Sequence, residues 1–480
     1  MKVYLDRIFH DNKKVIFFSL LFSAALAVLN VKKMGIKDSG MFFLATFLLV
    51  NQVYLIFKDS KKSIFLFILS LPILVTARKI CSIDLVFLKI TYESIYVTFL
   101  FLVKIKDIFR NLKYSVKNSS SLSFSFYIMI LFFMVFVYNA DIYSKDLFNS
   151  LSDTYLGVVV PIMFMISVIS IIKTKDIDII IYSLILNLDF SCLYGLMQIL
   201  KDGVSLSNIK KNRALLTFGY HNVNIFAGIL ITILPLLMEI ILYKKSSKKG
   251  KVFFYGSFML QLIGLAITFT RGAWICFILS VFLILISKKY SKILIVLTSI
   301  GLLLSKPALS FIISRGNQNT TFFTNESSVA RIQSIFTDIQ ILKKFPFGIG
   351  MSSFKEFYKE FAGRGYLAMP ESLRFKATAA HYMLEHAHNL LLQIGVEFGL
   401  VALVIFIALI INRLRLCLKN YGENRGLFIS TLIYVIFSTL TGNEFNHKGV
   451  ITGTLIIFMI FALIEVRQKT YDLKSIEIEK

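Results

Sequence analysis

Long apolar blocks, which recur from one end of this chain to the other, constrain its fold more than any other feature. Each block runs for about 16 to 22 residues, close to the length that a helix needs to cross the hydrocarbon of a bilayer. Over 480 residues the hydrophobic fraction is 56% and the mean hydropathy is +0.73. Because irregular backbone cannot face lipid, we expect an all-α, polytopic integral membrane protein.

The hydropathy pattern predicts about fourteen spans, of which the third, tenth and eleventh are short enough to be re-entrant. They lie near 15–30, 40–57, 63–77, 82–103, 122–140, 153–172, 177–200, 222–243, 252–269, 271–287, 290–306, 389–411, 427–442 and 449–465. Three regions follow: N-terminal transmembrane helices at 1–306, an outer loop at 307–388, and C-terminal transmembrane helices with a cytoplasmic tail at 389–480.

The basic residues predict how the chain is oriented. A net charge of +25 would suggest a nucleic-acid partner in a soluble protein, but here it fits short loops that face an anionic cytoplasmic leaflet. Five basic connections fall on one side if both termini are inside the cell, and two fall on the other. The five are 58–62, 104–117, 244–249, 288–292 and 413–425, and the two are 32–37 and 78–79. This topology places Arg213, Arg271, His386 and His388 on the outer face.

The outer loop contains a predicted helix. From Ser327 to Lys344, apolar residues recur with helical spacing on one face, Ser327 or Ser328 can cap the start, and Pro346 and Gly348 end the pattern. We expect an amphipathic helix on the membrane surface or over the mouth of a cavity, with Arg331 on its polar side.

Five short motifs occupy the second half of the chain. They are Arg213 followed by Asn222-Val223-Asn224, Thr270-Arg271-Gly272, Ser328-Val329-Ala330-Arg331, Pro346-Phe347-Gly348-Ile349-Gly350, and His386-Ala387-His388-Asn389 running on to Glu397-Phe398-Gly399. In order and spacing they resemble the bacterial O-antigen ligase and O-antigen polymerase family over roughly residues 205–411. Thr270 stands where the family usually has serine, and Val401-Ala402 stands where it often has a second glycine.

The resemblance implies an inverting membrane glycosyltransferase in the bacterial cytoplasmic membrane. Its donor is a glycan on undecaprenyl diphosphate, and its acceptor is a hydroxyl of lipid A core or of a second lipid-linked glycan. His388 is the predicted base. The predicted substrate-binding residues are Arg213, Arg271, Arg331, His386 and Asn389. The three arginines are expected to bind the diphosphate, because guanidinium groups hold phosphate oxygens bidentately. In the competing interpretations, the arginines only anchor the helices by reaching the lipid headgroups, and the histidine only caps a helix.

A polar stripe begins at the last of these motifs. Asn389, Gln393 and Glu397 recur every fourth residue, so they share one face of the twelfth predicted span. We expect that face to line a cavity and not to contact lipid, because polar groups are costly in hydrocarbon.

The sequence predicts no cofactor and no metal. Asp176-Ile177-Asp178 lies in a cytoplasmic connection, and the spacing of His386 and His388 diverges on a helix. The four cysteines have no metal-binding or disulfide spacing.

Other polar groups leave alternatives open. Lys89 and Glu93 are spaced to pair within the fourth span, and Asp189 could approach the cavity or bond a neighbouring helix. A lipid-linked oligosaccharide flippase or transporter is the alternative function, and it would need polar residues in the middle of many spans and internal repeats. The motifs do not separate a ligase from a polymerase.

Overall fold

The computed structural model of this chain describes residues 13–78, 83–85, 88–118, 120–202, 209, 213–303, 326–374, 384–441 and 451–478. The helices of the first half are α1 (Lys13–Lys58), α2 (Ser60–Ala77), α3 (Tyr92–Val103), α4 (Ile105–Asn118), α5 (Ser121–Asp141), α6 (Leu147–Thr154), α7 (Val160–Ile171), α8 (Ile177–Asp202) and α9 (Val223–Tyr243). Those of the second half are α10 (Lys248–Ile267), α11 (Arg271–Leu285), α12 (Ser291–Leu303), α13 (Glu326–Lys344), α14 (Phe354–Ala368), α15 (Glu371–Arg374), α16 (Leu390–Lys419), α17 (Tyr421–Thr441) and α18 (Ile451–Ile478).

The all-α, polytopic prediction is confirmed. Within the described residues, nine helical segments are long and apolar enough to cross a membrane, and α3, α11 and most of α12 are shorter apolar helices. Large apolar side chains such as Ile295 and Leu303 of α12 are exposed. Outward-facing apolar side chains of this kind are expected where the neighbour is lipid and not water. By contrast, nearly every side chain of α9 is buried, so α9 is a central helix of the bundle.

Two ion pairs join three loops at one end of the bundle. Lys61 Nζ is 2.5 Å from Asp176 Oδ2, and Lys244 Nζ is 2.5 Å from Asp178 Oδ1. The connections that precede α2, α8 and α10 therefore lie together, at the end that the basic residues assign to the cytoplasm. Helices α13 and α14 and the start of α16 lie at the opposite end, against the end of α5.

The fourth predicted span, 82–103, is wrong as a continuous helix. Its first half is an antiparallel hairpin of β1 (Ile83–Leu85) and β2 (Leu88–Ile90), with Ile83 opposite Ile90. A capping box between Thr91 and Ser94 then starts α3, which at 1.5 Å per residue is too short to cross the hydrocarbon.

The hairpin also overturns the pairing of Lys89 with Glu93. Lys89 Nζ is 2.9 Å from Asp153 Oδ1 and 2.7 Å from Asn149 Oδ1. The strand ends before Glu93, so the two residues do not share a helix and the assumed spacing does not apply.

Arg413 is not a loop residue, so the prediction that places it in a basic connection is wrong. Helix α16 continues to Lys419, and Arg413 is fully buried with its Nη1 2.7 Å from Glu465 Oε2 of α18. Asp189 bonds a neighbouring helix, since it accepts hydrogen bonds from Ser257 and Gln261 of α10. Both groups are satisfied inside the protein, as buried polar groups require.

Candidate functional site

Arg213 joins two of the motifs in one hydrogen-bond network. It starts a short 3₁₀ turn (Arg213–Leu215) before α9. Its Nε donates to the carbonyl of Thr268 at 2.6 Å, and its Nη2 donates to Asn224 Oδ1 at 2.6 Å and to Thr270 Oγ1 at 3.0 Å. Asn222 caps α9 by accepting from the backbone N–H of Asn224 and Ile225. The arginine, the Asn-x-Asn pair and the threonine of the second motif thus hold each other in place.

Arg271 is the first residue of α11, directly after this network. At this end of a helix the N-terminal N–H groups and their partial positive charge favour an anion, and Arg271 adds a basic side chain there. Gly272 lets α11 approach α17, because a Cβ at this position would lie 2.9 Å from Thr441 Cγ2. The Thr-Arg-Gly motif therefore combines a hydrogen-bonded threonine, a basic side chain and a close helix contact.

The predicted loop helix is present as α13, and it packs against α14 and α16. Arg331, Ser334 and Asp338 follow one another at i, i+3 and i+7, so they share one face. Ser334 Oγ lies 3.3 Å from the carbonyl oxygen of Ala387, between the two histidines. This face therefore packs against the histidine segment.

His386 and His388 lie in contact immediately before α16. Their ring centroids are 4.0 Å apart, with 55° between the planes. His388 has a φ of +53°, the left-handed region that non-glycine residues adopt only at a cost. The turn is held by Gln393 Oε1, which accepts from the N–H of Ala387 at 2.7 Å. Asn389 caps α16 by accepting from the N–H of Leu392 at 3.0 Å.

The surroundings of His388 keep its imidazole neutral. Burial, followed by the positive charges of His386 and Arg331, lowers the pKa of His388 from 6.5 to about 2. A neutral imidazole has one nitrogen available as an acceptor, so His388 can receive a proton. Because its pKa is so low, it is a weak base until a negative charge is bound nearby.

The Pro-x-Gly-x-Gly turn docks onto a break in α16. At Gly399 the helix has a φ of 91° and a ψ of 166°. The N–H of Leu400 donates to Pro346 O at 2.9 Å, and the freed carbonyls of Val396 and Glu397 accept from Ile349 and Gly350 at 3.1 and 3.0 Å. The fourth motif and the end of the fifth thus form one backbone interface between the segment that follows α13 and the helix bundle.

Three carboxylates beneath this turn belong to the same interface. Asp141 Oδ1 accepts from Ser150 Oγ at 2.6 Å and from the N–H of Met351 at 3.1 Å. Glu397 Oε1 accepts from the N–H of Ser352 at 3.2 Å, and Ser352 Oγ also donates to Asp153. They therefore hold the Met351–Ser352 backbone and the Ser352 hydroxyl against α5, α6 and α16.

The structure groups the predicted site residues in two sets. His386, His388 and Arg331 come together beside Asn389, and Arg213 joins the turn that carries Arg271. Gln393 and Glu397 are buried and accept hydrogen bonds from the N–H groups of Ala387 and Ser352, so this face does not contact lipid, as predicted. The cavity expected along it stays a prediction. In the described part of the chain there is no group of three or more His, Cys, Asp and Glu side chains that could hold a metal ion.

Sequence reasoning missed the residues that support these sets. Ser334 and Asp338 could have been found from their spacing after Arg331 on the predicted helix. Asp141 and Asp153 could have been found as carboxylates at the ends of apolar runs, where a charge is costly unless it is bonded. Their partners are remote in sequence, so the spacing alone does not reveal them.

A comparison with protein families matches residues 256–407 to the O-antigen ligase family. The matched segment begins within α10 and ends within α16, so it includes Arg271, Arg331, the Pro-x-Gly-x-Gly turn and both histidines, and it leaves Arg213 outside. The resemblance carried by the motifs is confirmed over this segment. No curated protein matches the chain.

Proposed function

We propose, from the match of residues 256–407 to the O-antigen ligase family, that this chain is a membrane glycosyltransferase that moves a glycan from undecaprenyl diphosphate. The acceptor is a hydroxyl of lipid A core or of another lipid-linked glycan. The reaction is inverting and metal-independent, and it takes place on the outer face of the bacterial cytoplasmic membrane.

The observation that carries this proposal is the contact of His388 with His386 beside Arg331. In the proposed step the acceptor oxygen attacks the anomeric carbon and its proton passes to His388. The bond between the anomeric carbon and the phosphate oxygen breaks, and the diphosphate leaves with the electron pair. A single displacement of this kind inverts the configuration.

A bound diphosphate would also raise the basicity of His388. Burial is the largest cause of the low pKa of His388, and the positive charges of His386 and Arg331 lower it further. An anion bound to these two groups offsets the contribution of their charges. The imidazole then gains basicity when the donor is in place, because a nearby negative charge favours the protonated form.

The arginines divide into two roles in this proposal. Arg271 and Arg331 bind the diphosphate and neutralise the charge that develops as the glycan leaves. Arg213 already donates three hydrogen bonds to protein groups, so we assign it to holding the turn of Arg271. His386 and Asn389 complete the binding surface around His388.

The alternative function is passive transport of the same lipid-linked glycan. It would need polar groups inside the bundle that are available to the substrate. Several polar groups inside the bundle have internal partners: Arg413 pairs with Glu465, and Asp189 bonds Ser257 and Gln261. Polar groups that bond one another in this way hold helices together and do not require a substrate path.

The test is an assay of the purified protein with a lipid-diphosphate-linked repeat unit, with and without lipid A core and with and without EDTA. A ladder of lengths without lipid A core indicates a polymerase, and a glycan attached only to lipid A core indicates a ligase. Undiminished product in EDTA is expected. Movement of the intact lipid-linked glycan across the membrane of vesicles, with no new glycosidic bond, would refute the proposed transfer and indicate transport.

A further inference from the structure

One hydroxyl on α13 faces two acceptors behind the histidine segment. Ser334 Oγ lies 3.2 Å from Asp338 Oδ2 and 3.3 Å from the carbonyl oxygen of Ala387. All three residues are buried, and a serine hydroxyl has only one hydrogen to donate. If Asp338 were ionised, it and the carbonyl would compete for that hydrogen.

A protonated Asp338 resolves this competition. Its own O–H donates to Ser334 Oγ, and the hydrogen of Ser334 is then available to the Ala387 carbonyl. The burial of Asp338 is consistent with this state, because the side chain has no exposed surface and its Oδ1 has no hydrogen-bond partner among the described residues. An ionised carboxylate with a bare buried oxygen would be far more costly than the neutral acid.

The groups around Asp338 agree with a neutral acid. Burial raises the pKa of Asp338 well above its ordinary value of 3.8, and this outweighs the lowering by the Ser334 hydrogen bond. Among the described residues, Tyr358 of α14 is a titratable group that interacts with it, and burial raises the pKa of Tyr358 to about 12, so it stays neutral as well. The other titratable groups nearby in this part of the chain are Arg331 on the same helix face, and His386 and His388 beyond Ala387.

The Ala387 carbonyl matters because it belongs to the peptide that precedes His388. The N–H of Ala387 is held by Gln393, and its carbonyl is held by Ser334. Rotation about the N–Cα bond of His388 turns that peptide plane relative to the imidazole. Fixing the carbonyl therefore helps to hold the left-handed φ of +53° and with it the direction of the ring.

We propose that Asp338, as a neutral acid, acts through Ser334 as a positioning residue for His388, an inference that rests on the proposed function of His388 as the base. When Asp338 loses its proton, the Ser334 hydrogen turns to the carboxylate and the Ala387 carbonyl loses its donor. The turn then loosens, and transfer falls as the pH rises through the pKa of Asp338.

The test compares Asp338→Asn and Ser334→Ala with the parent, and uses Thr337→Val as a matched loss of a buried hydroxyl on the same helix. Asparagine keeps an N–H donor toward Ser334 but cannot ionise. Asp338→Asn should therefore keep the parent's kcat at neutral pH and lack its alkaline fall. Ser334→Ala should lower kcat roughly ten- to hundredfold with little change in KM, as expected for a misplaced reacting group, while Thr337→Val should not.

A second measurement does not depend on transfer. Because the folded pKa of Asp338 is raised, the stability it contributes is complete below the unfolded pKa near 3.8 and is lost as the pH rises toward the folded pKa. The melting temperature of the parent should fall with pH over this window more than that of Asp338→Asn. An alkaline fall in activity that persists in Asp338→Asn, equal pH slopes of melting, or a parent-like kcat in Ser334→Ala would each overturn the proposal. A parent without transfer activity would instead refute the proposed function, and the melting slopes would still test the neutral acid.

Discussion

Gly348 and Gly399 lie backbone to backbone where the turn after α13 meets the helix bundle. A Cβ on Gly348 would fall 2.8 Å from the nitrogen of Gly399, and a Cβ on Gly399 would fall 2.6 Å from the carbonyl carbon of Phe347. Both residues have a positive φ, +93° and +91°. The two glycine motifs are therefore required by one contact, which breaks α16 and seats the turn beside the histidine segment.

Gly399→Ala should destabilise the protein and lower transfer together. The new methyl group meets backbone atoms that cannot move aside, and alanine disfavours the positive φ, so a loss of about 2 kcal/mol or more is expected. Thermal unfolding in detergent measures it. Gly363→Ala on α14 is the control, because a Cβ there meets nothing within 4 Å. Equal melting temperatures for Gly399→Ala and the parent would contradict the close contact.

His388→Ala should abolish transfer while leaving membrane abundance and melting temperature near those of the parent. Since the pKa of His388 is lowered to about 2, the free enzyme carries a neutral imidazole at any ordinary pH. The parent's kcat/KM should therefore show no loss from His388 between about pH 8 and about pH 5. Near-normal product from His388→Ala would remove it from the role of base, and His386→Ala would be tested next.

Arg271→Lys should be nearly as damaging as Arg271→Ala, although lysine keeps the charge. The residue is held at the start of α11 by the turn that Arg213 bonds, and its planar fork can meet two phosphate oxygens at once. A residue that only anchors the helix to headgroups would accept lysine at little cost. Steady-state transfer at equal membrane abundance decides the matter. Parent-like activity of Arg271→Lys would show that Arg271 is an interfacial anchor and that the diphosphate binds elsewhere.

Cysteines on exposed positions at the two ends should label from opposite sides of the membrane. Lys359→Cys on α14 should react with an impermeant thiol reagent in intact cells or spheroplasts, and Lys249→Cys at the start of α10 should not. Cys192, Cys276 and Cys417 are buried, and Cys81, which lies outside the described residues, is replaced by serine in both variants. The reverse pattern of labelling would place the histidine site in the cytoplasm and refute the proposed topology.

Glu465→Gln should lower stability by about 3–5 kcal/mol, because it leaves the guanidinium of Arg413 buried without its ionic partner. That group also lies 3.7 Å from the centre of the Phe126 ring, so it cannot reach water without repacking. Replacing both partners, as in Arg413→Met with Glu465→Leu, should recover much of the loss. Melting temperatures of the single and double variants measure the effect. A single variant as stable as the parent would show that the pair is dispensable.

The sequence by itself determined the membrane class, the positions of most helices and the set of motif residues. Apolar length and helical period are local properties, so they can be read without knowing the fold. The helix that carries Arg331 was predictable for the same reason. Two of the basic connections, 58–62 and 244–249, lie at one end of the bundle, as the charge pattern predicts, whereas Arg413 lies inside a helix longer than its apolar run.

Only the tertiary structure decided which of these residues meet. The pairing of Lys89 with Asp153, the seat of the Pro-x-Gly-x-Gly turn on Gly399, and the link from Asp338 through Ser334 to Ala387 all join residues far apart in the chain. No single residue of these pairs stands out in its own segment, because the burial and the partner of a polar group depend on residues from remote segments that pack around it. The direction of the His388 ring follows from those contacts, and no local pattern encodes them.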